Sequence, residues 1–433
     1  MTEYTVVVND CAAVAVTGGP VSIRTRDTAH GSQNFTLNFA MLAAGLPRQL
    51  NDRELDWLET VGHIYAIDLA CKRGEGDVAW ARDIDVHLPV RDPEFWNSIA
   101  ARVEQLFGDF TMDRLRVSFV ANADPPEAPR QGLEAFPEHD SVALLSGGVD
   151  SFVGAALLID RGERPISVAH TAAGAITHAQ ALVEEQLAER QPSFQRLGLT
   201  ARKSGSTFPS PEASQRSRSL LFLGAAAVVA VVGGTNRVYI NENGVMAIHL
   251  PMTNARIGSL STHTAAPIVM DRVAALATDV LGQQVTIINE LVSFTKPQVV
   301  ELGLGMGLQD ALAETVSCWS IGRTSEHCGV CAPCLMRRIS FVIHGAADAL
   351  YKYDAFDDPD VLLRNFAADN LTHLVRLVDD IRGSNDLELQ VSYPELLNGA
   401  SVLSVSNCIA LYRQWADEAA SVLFARPVPQ SVR

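Results

Sequence analysis

Positive charge is what this chain of 433 residues is short of: 34 lysines and arginines stand against 50 aspartates and glutamates, for a formal charge of −16. That balance disfavours nonspecific duplex binding, which needs a basic face to displace counterions, although a local basic pocket remains compatible with it. A long hydrophobic run is also missing. The longest apolar stretch, Leu220–Gly234, has 15 residues rich in alanine and glycine. That is short for a membrane span and suits a helix buried beneath a sheet. No secretory signal opens the sequence, and no repeat or long low-complexity tract interrupts it, so the expectation is a soluble, cytoplasmic protein. Cysteines number only 7; four crowd into Cys318–Cys334, while Cys11, Cys71 and Cys408 read as scattered core residues. Reduced intracellular thiols make disulfides the weaker reading.

What is present is chemically specific. Val142–Leu145 is a short apolar run of the kind that forms a buried parallel strand. It ends in Ser146-Gly147-Gly148-Val149-Asp150-Ser151, and Phe152–Ile159 reads as a helix packed on the sheet. A strand, a glycine turn and a helix amino terminus surround one small cavity with backbone N–H groups, an arrangement suited to phosphate. The glycines permit close backbone approach, and the Ser146 and Ser151 hydroxyls can donate to phosphate oxygens. Asp150 would repel a bare phosphate, so it is expected to cap the helix or to reach Mg²⁺ through water. The loop is neither a Walker loop, for want of a following Gly-Lys-Ser/Thr, nor a three-glycine dinucleotide fingerprint.

Cys318 is followed by nine residues and then by Cys328-Gly-Val-Cys331-Ala-Pro-Cys334. Four thiolates at these spacings can share one tetrahedral, structural Zn²⁺, with an iron–sulfur cluster as the competing occupant. His327 could replace one thiolate, but reads better as a neighbouring surface histidine.

The chain divides into an α+β unit over 1–120, a proline-rich linker over 121–140, a catalytic domain over 141–343 and a helical extension over 344–433. Strands are expected at Thr5–Val8, Ala13–Val16, Ile84–Leu88 and Leu115–Val120, and helices at Asp52–Val61 and Asp92–Phe107. In the catalytic domain, candidate strands Ile166–Ala169, Leu199–Arg202, Arg237–Ile240 and Val285–Ile288 alternate with candidate helices Ala175–Arg190, Ser217–Val232 and Pro267–Leu281. This alternation predicts a doubly wound, Rossmann-like α/β sheet with ligands at the carboxyl ends of its strands.

The hexapeptide Ser146–Ser151 resembles the Ser-Gly-Gly-x-Asp-Ser signature of PP-loop N-type ATP pyrophosphatases. The Cys318…Cys328-Gly-Val-Cys331-Ala-Pro-Cys334 pattern, with Arg337-Arg338 trailing, narrows the resemblance to QueC-like enzymes, the 7-cyano-7-deazaguanine synthases, over about Ser141–Ile343. The resemblance implies ATP and Mg²⁺ as reactants and Zn²⁺ in the cysteine cluster. It further implies adenylation of a 7-carboxy-7-deazaguanine-like carboxylate and attack by an amine to give amide or nitrile. Arg218, with Arg216 second, matches a family arginine that could clamp phosphate or carboxylate; the family's following asparagine is Ser219 here. Lys296 resembles a family lysine that neutralises departing pyrophosphate, and Asp150 joins Arg218 and Lys296 as the catalytic set. His170 stands where the synthases carry an aspartate-tyrosine-glycine-glutamine turn that touches nucleotide or base. Glu242 could accept from a guanine-like base edge, and His263 and Thr264 are candidate substrate contacts.

The added terminal units resemble those of QueC-like components of anti-phage systems such as Qat, in which a partner protein's terminal amine would be the acceptor. Two other classes compete. A sulfur-transfer PP-loop enzyme acting on tRNA would need a catalytic cysteine and a basic face. A non-catalytic nucleotide-binding assembly subunit would use zinc for stability alone.

Overall fold

The structure is a computed structural model, and it describes residues 2–16, 19–74, 81–127, 136–170, 174–212, 216–252, 263–321, 326–356 and 367–425. Among the described residues, ten strands form two sheets. The first, ordered β2-β1-β4-β5, is wholly parallel and comprises β1 (Thr2–Val8), β2 (Val21–Ile23), β4 (Arg82–Val90) and β5 (Arg114–Ala121). The second runs β10-β9-β6-β7-β8-β3, in which β3 is Phe35–Asn38, with β6 (Ser141–Leu144), β7 (Pro165–His170), β8 (Arg196–Lys203), β9 (Arg237–Tyr239) and β10 (Thr286–Ile288) all parallel. From β6 the chain winds first to β7 and β8 on one side, then to β9 and β10 on the other. The strand order therefore reverses at β6, which makes its carboxyl end the topological switch point where open α/β sheets bind ligands. This is the doubly wound fold that the alternating pattern predicts.

Helices cover both faces of this sheet. On one face Phe152 of helix Val149–Asp160, Val183 of helix Gly174–Arg190 and Val300 of helix Lys296–Gly305 share a core. On the other lie helix Arg218–Gly233 and helix Pro267–Leu281, joined by helix Asp52–Ala70 from the amino-terminal unit. One hydrophobic cluster runs without a break from Val6 and Phe107 through Trp57 to Val142 and Val228. β3 (Phe35–Asn38) leaves the amino-terminal unit altogether and pairs antiparallel with β8, completing the edge of the second sheet. The carboxyl-terminal helices Ala367–Gly383 and Val405–Leu423 pack through Leu374, Val378 and Trp415 against Leu335 and Ile339 of helix Ala332–Ile343.

Three sequence expectations need correction. Ala13–Val16 forms no strand; β2 begins instead at Val21, where pairing to Val6 supplies the ladder. Asp92–Phe107 is two helices, Pro93–Ser98 and Ala100–Thr111, broken at Ile99. Helix Asp52–Ala70 runs nine residues past Val61, because its later turns are buried too. Part of the linker, 128–135, lies outside the described residues. Among the described residues no helix is long and apolar enough to cross a membrane.

Candidate functional site

The Ser146–Ser151 loop begins two residues beyond the end of β6, at the switch point. Gly147 has φ +81°, a conformation that favours glycine, and a Cβ there would meet Gln180 at 3.2 Å. Gly148 caps helix Val149–Asp160 with no side-chain cap, so the first N–H groups of the helix are left to other acceptors. The serines brace the turn. Ser151 Oγ accepts from Ser146 N–H (3.2 Å), lies 2.9 Å from Ser146 Oγ and donates to Gly148 carbonyl (3.1 Å). Val149 is a core residue, which leaves only its backbone to the cavity.

Asp150 does not cap its helix, the first of the two roles that the sequence suggests for it. Its buried Oδ2 instead accepts from Lys296 Nζ (2.8 Å) and Asn243 Nδ2 (3.1 Å). Oδ1, also buried, accepts no hydrogen bond among the described residues. Burial raises the pKa of this carboxyl. The charge of Lys296, with the hydrogen bonds from Lys296 and Asn243, outweighs burial and holds it below the usual carboxylate range. Glu242 adjoins Asp150, and burial together with Asp150's negative charge pushes its carboxyl well above the ordinary value.

The backbone fixes both partners. Lys296 opens helix Lys296–Gly305 behind a Thr295–Gln298 capping box. Asn289 clamps Glu242 twice, accepting from its N–H (3.2 Å) and donating to its carbonyl (2.8 Å). The orphaned Asp150 oxygen and the adjoining Glu242 carboxyl are a hard-oxygen donor set that fits Mg²⁺.

The four cysteine sulfurs lie within 4.8 Å of one another, all buried, as one tetrahedral ion requires. Backbone N–H groups of Ser320 and Cys328 donate to Cys318 Sγ, and that of Cys331 donates to Cys328 Sγ, at 3.3–3.4 Å. Such bonds stabilise thiolates. Mutual thiol hydrogen bonds drive the pKa values apart, with Cys318 and Cys328 below the ordinary range and Cys331 and Cys334 above it. His327 is buried rather than at the surface. Its Nε2 accepts from Ser317 N–H at 3.1 Å, and it stands outside the four-sulfur group.

The cluster is tied to the Ser146–Ser151 loop. Val316 N–H donates to Gly147 carbonyl at 2.9 Å. Arg337, fully buried, pairs with Asp348 (2.7 Å) and donates to the carbonyls of Leu312, Ala313 and Thr315, which holds the intervening strap in place.

The remaining expected residues sit elsewhere. Arg218 is exposed at the start of helix Arg218–Gly233, 5.8 Å above the Phe222 ring. His170 ends β7; its Nε2 engages the Ala201 backbone at 3.0 Å, and burial lowers its pKa. Arg216, the second choice for a phosphate clamp, is buried against the amino-terminal unit, donating to Thr111 carbonyl (3.5 Å). Burial, with Arg73 second, lowers its pKa to about 10, so it lines no cleft. His263 Nδ1 lies 3.3 Å from Asn398 Nδ2 in the carboxyl-terminal region, and Thr264 is in the turn before helix Pro267–Leu281. Neighbouring residues 171–173, 215, 261 and 262 fall outside the described residues. Asn243, Asn289, Val316 and Arg337 were not singled out as site residues from the sequence. Asn243 stands in the Asn-Glu-Asn-Gly segment beside Glu242, where the short polar run was its only signal.

Residues 211–345 match the family described as "Queuosine biosynthesis protein QueC". The chain is 30% identical to the 7-cyano-7-deazaguanine synthase of Psychrobacter cryohalolentis over 134 residues, 30% of this chain and 48% of that protein. It thus spans about half the length of that relative. It is 27% identical to the synthase of Desulfatibacillum aliphaticivorans over 235 residues, 50% of this chain and 97% of that protein. With the synthase of Thiobacillus denitrificans it shares 28% identity over 233 residues, 48% of this chain and 96% of that protein. A glycine loop at the switch point, a four-cysteine cluster strapped to it and these matches agree: over its central region the chain is similar to the QueC family, within a longer polypeptide.

Proposed function

We propose that the protein uses ATP to adenylate the carboxylate of a 7-carboxy-7-deazaguanine-like heterocycle and passes the acyl group to an amine. The observation that carries this reading is the Asp150–Lys296–Asn243–Glu242 cluster directly behind the Ser146–Ser151 loop. The substrate carboxylate oxygen would attack the α-phosphorus of ATP and release pyrophosphate, with AMP left on the acyl oxygen. Attack by ammonia expels AMP and gives the amide. A second adenylation, on the amide oxygen, followed by loss of AMP and protons gives the nitrile.

In this scheme the loop N–H groups hold the pyrophosphate, and Lys296, kept beside the loop by Asp150, offsets its negative charge. Asp150 and Glu242 would hold Mg²⁺, which supplies charge neutralisation at the phosphates when bound. Zn²⁺ in the cysteine cluster would be structural, since four protein sulfurs leave no open position. A partner protein's terminal amine in an anti-phage operon is the alternative acceptor that the added units suggest.

The thiols outside the cluster disfavour sulfur transfer. Burial raises Cys11 to about 11 and Cys71 to about 12, away from the reactive thiolate. Incubation with ATP, Mg²⁺ and 7-carboxy-7-deazaguanine tests the reading, with AMP and base products followed by mass. AMP formation coupled to amide or nitrile supports it; AMP without a modified base, or activity that persists in Asp150→Ala, overturns it. Intact mass of a co-expressed operon partner decides between the two acceptors.

A further inference from the structure

Helix Arg218–Gly233 starts without a cap of its own: Ser217 occupies the N-cap position, but its side chain makes no capping bond. The first N–H groups of a helix need acceptors, and its positive end favours a carboxylate. Here the acceptor comes from 149 residues away. Oδ2 of Asp68, in helix Asp52–Ala70 of the amino-terminal unit, accepts from both Ser217 N–H (3.1 Å) and Ser217 Oγ–H (3.0 Å). Oδ1 of the same carboxylate accepts from Arg82 (2.7 Å), and both side chains are wholly buried. Arg82 is held in turn by Asp113 through Nε and Nη2 and by the backbone carbonyls of Asp68 and Cys71.

The same two helices touch again farther along. Trp57 Nε1 donates to Gly224 carbonyl at 3.0 Å, and a Cβ at Gly224 would come within 2.9 Å of Val61. Two bonds to Asp68 fix the start of helix Arg218–Gly233 and one from Trp57 fixes its body, so the amino-terminal unit sets both its depth and its rotation. Arg218 is the first residue of that helix. Its guanidinium lies over Phe222, whose ring is 5.6 Å from His170 at the carboxyl end of β7. The arginine therefore projects along the ligand-binding edge of the sheet from a mount that the amino-terminal unit holds.

We propose that Asp68 is a positioning residue for Arg218, and that the amino-terminal unit is in this way a working part of the nucleotide site rather than a separate module. The inference rests on the ATP reading above, with Arg218 as an anion contact. It requires Asp68 and Arg218 to act as one unit on ATP affinity, whereas a merely structural contact would lower stability and leave the affinity of the folded protein unchanged.

The test is a double-mutant cycle on the full-length chain, with Asp68→Ala, Arg218→Ala and the pair, reading ATP affinity by calorimetry alongside thermal melting. Losing the cap should weaken ATP binding by about tenfold. Arg218→Ala should weaken it at least as much, and the pair no more than Arg218→Ala alone. Ser217→Ala, which removes one of the two bonds, keeps the test open should Asp68→Ala fail to fold; it should give a smaller shift that likewise vanishes in the Arg218→Ala background. Additive losses in the pair, or lower melting with unchanged affinity, overturn the inference. Unchanged binding in Arg218→Ala with binding lost in Asp150→Ala overturns it while the loop reading survives. Absence of ATP binding by the unaltered protein overturns both.

Discussion

The buried charge cluster around Arg82 and the one around Asp150 differ in whether they close. Every polar arm of Arg82 finds a protein partner: two aspartates, two carbonyls and, through Asp68, a helix start. Around Asp150, Lys296 and Asn243 satisfy one oxygen and leave the other unbonded beside a second carboxylate. A buried polar atom without a partner costs roughly 1–3 kcal/mol. The closed cluster avoids that cost and fixes geometry; the open one bears it where a cation and a phosphate would relieve it. Openness, not burial or charge, distinguishes the candidate site from the Arg82 cluster.

Lys296→Ala should break the open cluster most severely. It removes the cation beside Asp150 and leaves two adjoining carboxylates in a buried setting. Pyrophosphate release should fall on the order of 10²–10³-fold, the range for losing one preorganised donor. Stability in urea should fall as well, and adding Asp150→Asn should restore part of it, because the uncompensated charge is then gone. Failure of the second substitution to restore any stability would contradict the ion-pair account. In the closed cluster, Arg82→Met should cost about 3–5 kcal/mol by stranding Asp68 and Asp113. Turnover per folded molecule should fall far less than with Lys296→Ala. A larger loss of turnover than of stability would put Arg82 in the site and erase the distinction.

An unbonded polar atom is not by itself the mark of a site. His63 is buried in helix Asp52–Ala70 with neither ring nitrogen bonded among the described residues. Burial, with Arg26 adding to it, lowers its pKa to about 3. The folded protein therefore holds the neutral ring, while the unfolded chain takes up a proton below its ordinary pKa of about 6.5. Stability is complete above that value and drains away as pH falls towards 3, by about 3 kcal/mol at pH 4. Urea titrations of His63→Leu against the unaltered chain should diverge as the pH falls, with no such drain in the variant. An identical acid limb would mean that the ring is not neutral. Smaller again, Gly147→Ala should cost about 1–2 kcal/mol for its left-handed backbone and weaken ATP binding, since Gln180 leaves the added methyl little room.

Local pattern made the central sheet legible: the strand–glycine–helix junction, the alternation through Pro267–Leu281 and the four-cysteine spacing each carry their signal within a few residues. What the sequence hid was joined across long distances. β3 supplies an edge to a sheet whose other strands lie more than 100 residues on, and nothing in Phe-Thr-Leu-Asn advertises that partner. Arg216 and Arg218 look interchangeable as a pair, yet a two-residue step on a helix start turns one into the protein and the other to solvent. Asp150 reads locally as a helix cap; a lysine 146 residues away took it instead.

The smallest effect is expected at His263, and it tests how far the site extends. Its ring nitrogen meets Asn398, which also donates to Ile248 carbonyl at 3.3 Å, so the histidine helps to stitch the carboxyl-terminal region onto helix Gly244–Ile248. Burial, followed by the charge of Arg216, lowers its pKa and keeps the ring neutral near pH 7. A neutral ring spent on an amide has little left with which to move a proton. His263→Ala should cost about 1 kcal/mol of stability, the worth of one hydrogen bond, with turnover per folded molecule unchanged. A tenfold loss of turnover, equivalent to about 1.4 kcal/mol in the barrier, would instead carry the site across to the carboxyl-terminal helices. The open cluster would then be one end of a longer cleft, and Asn398 the next residue to replace.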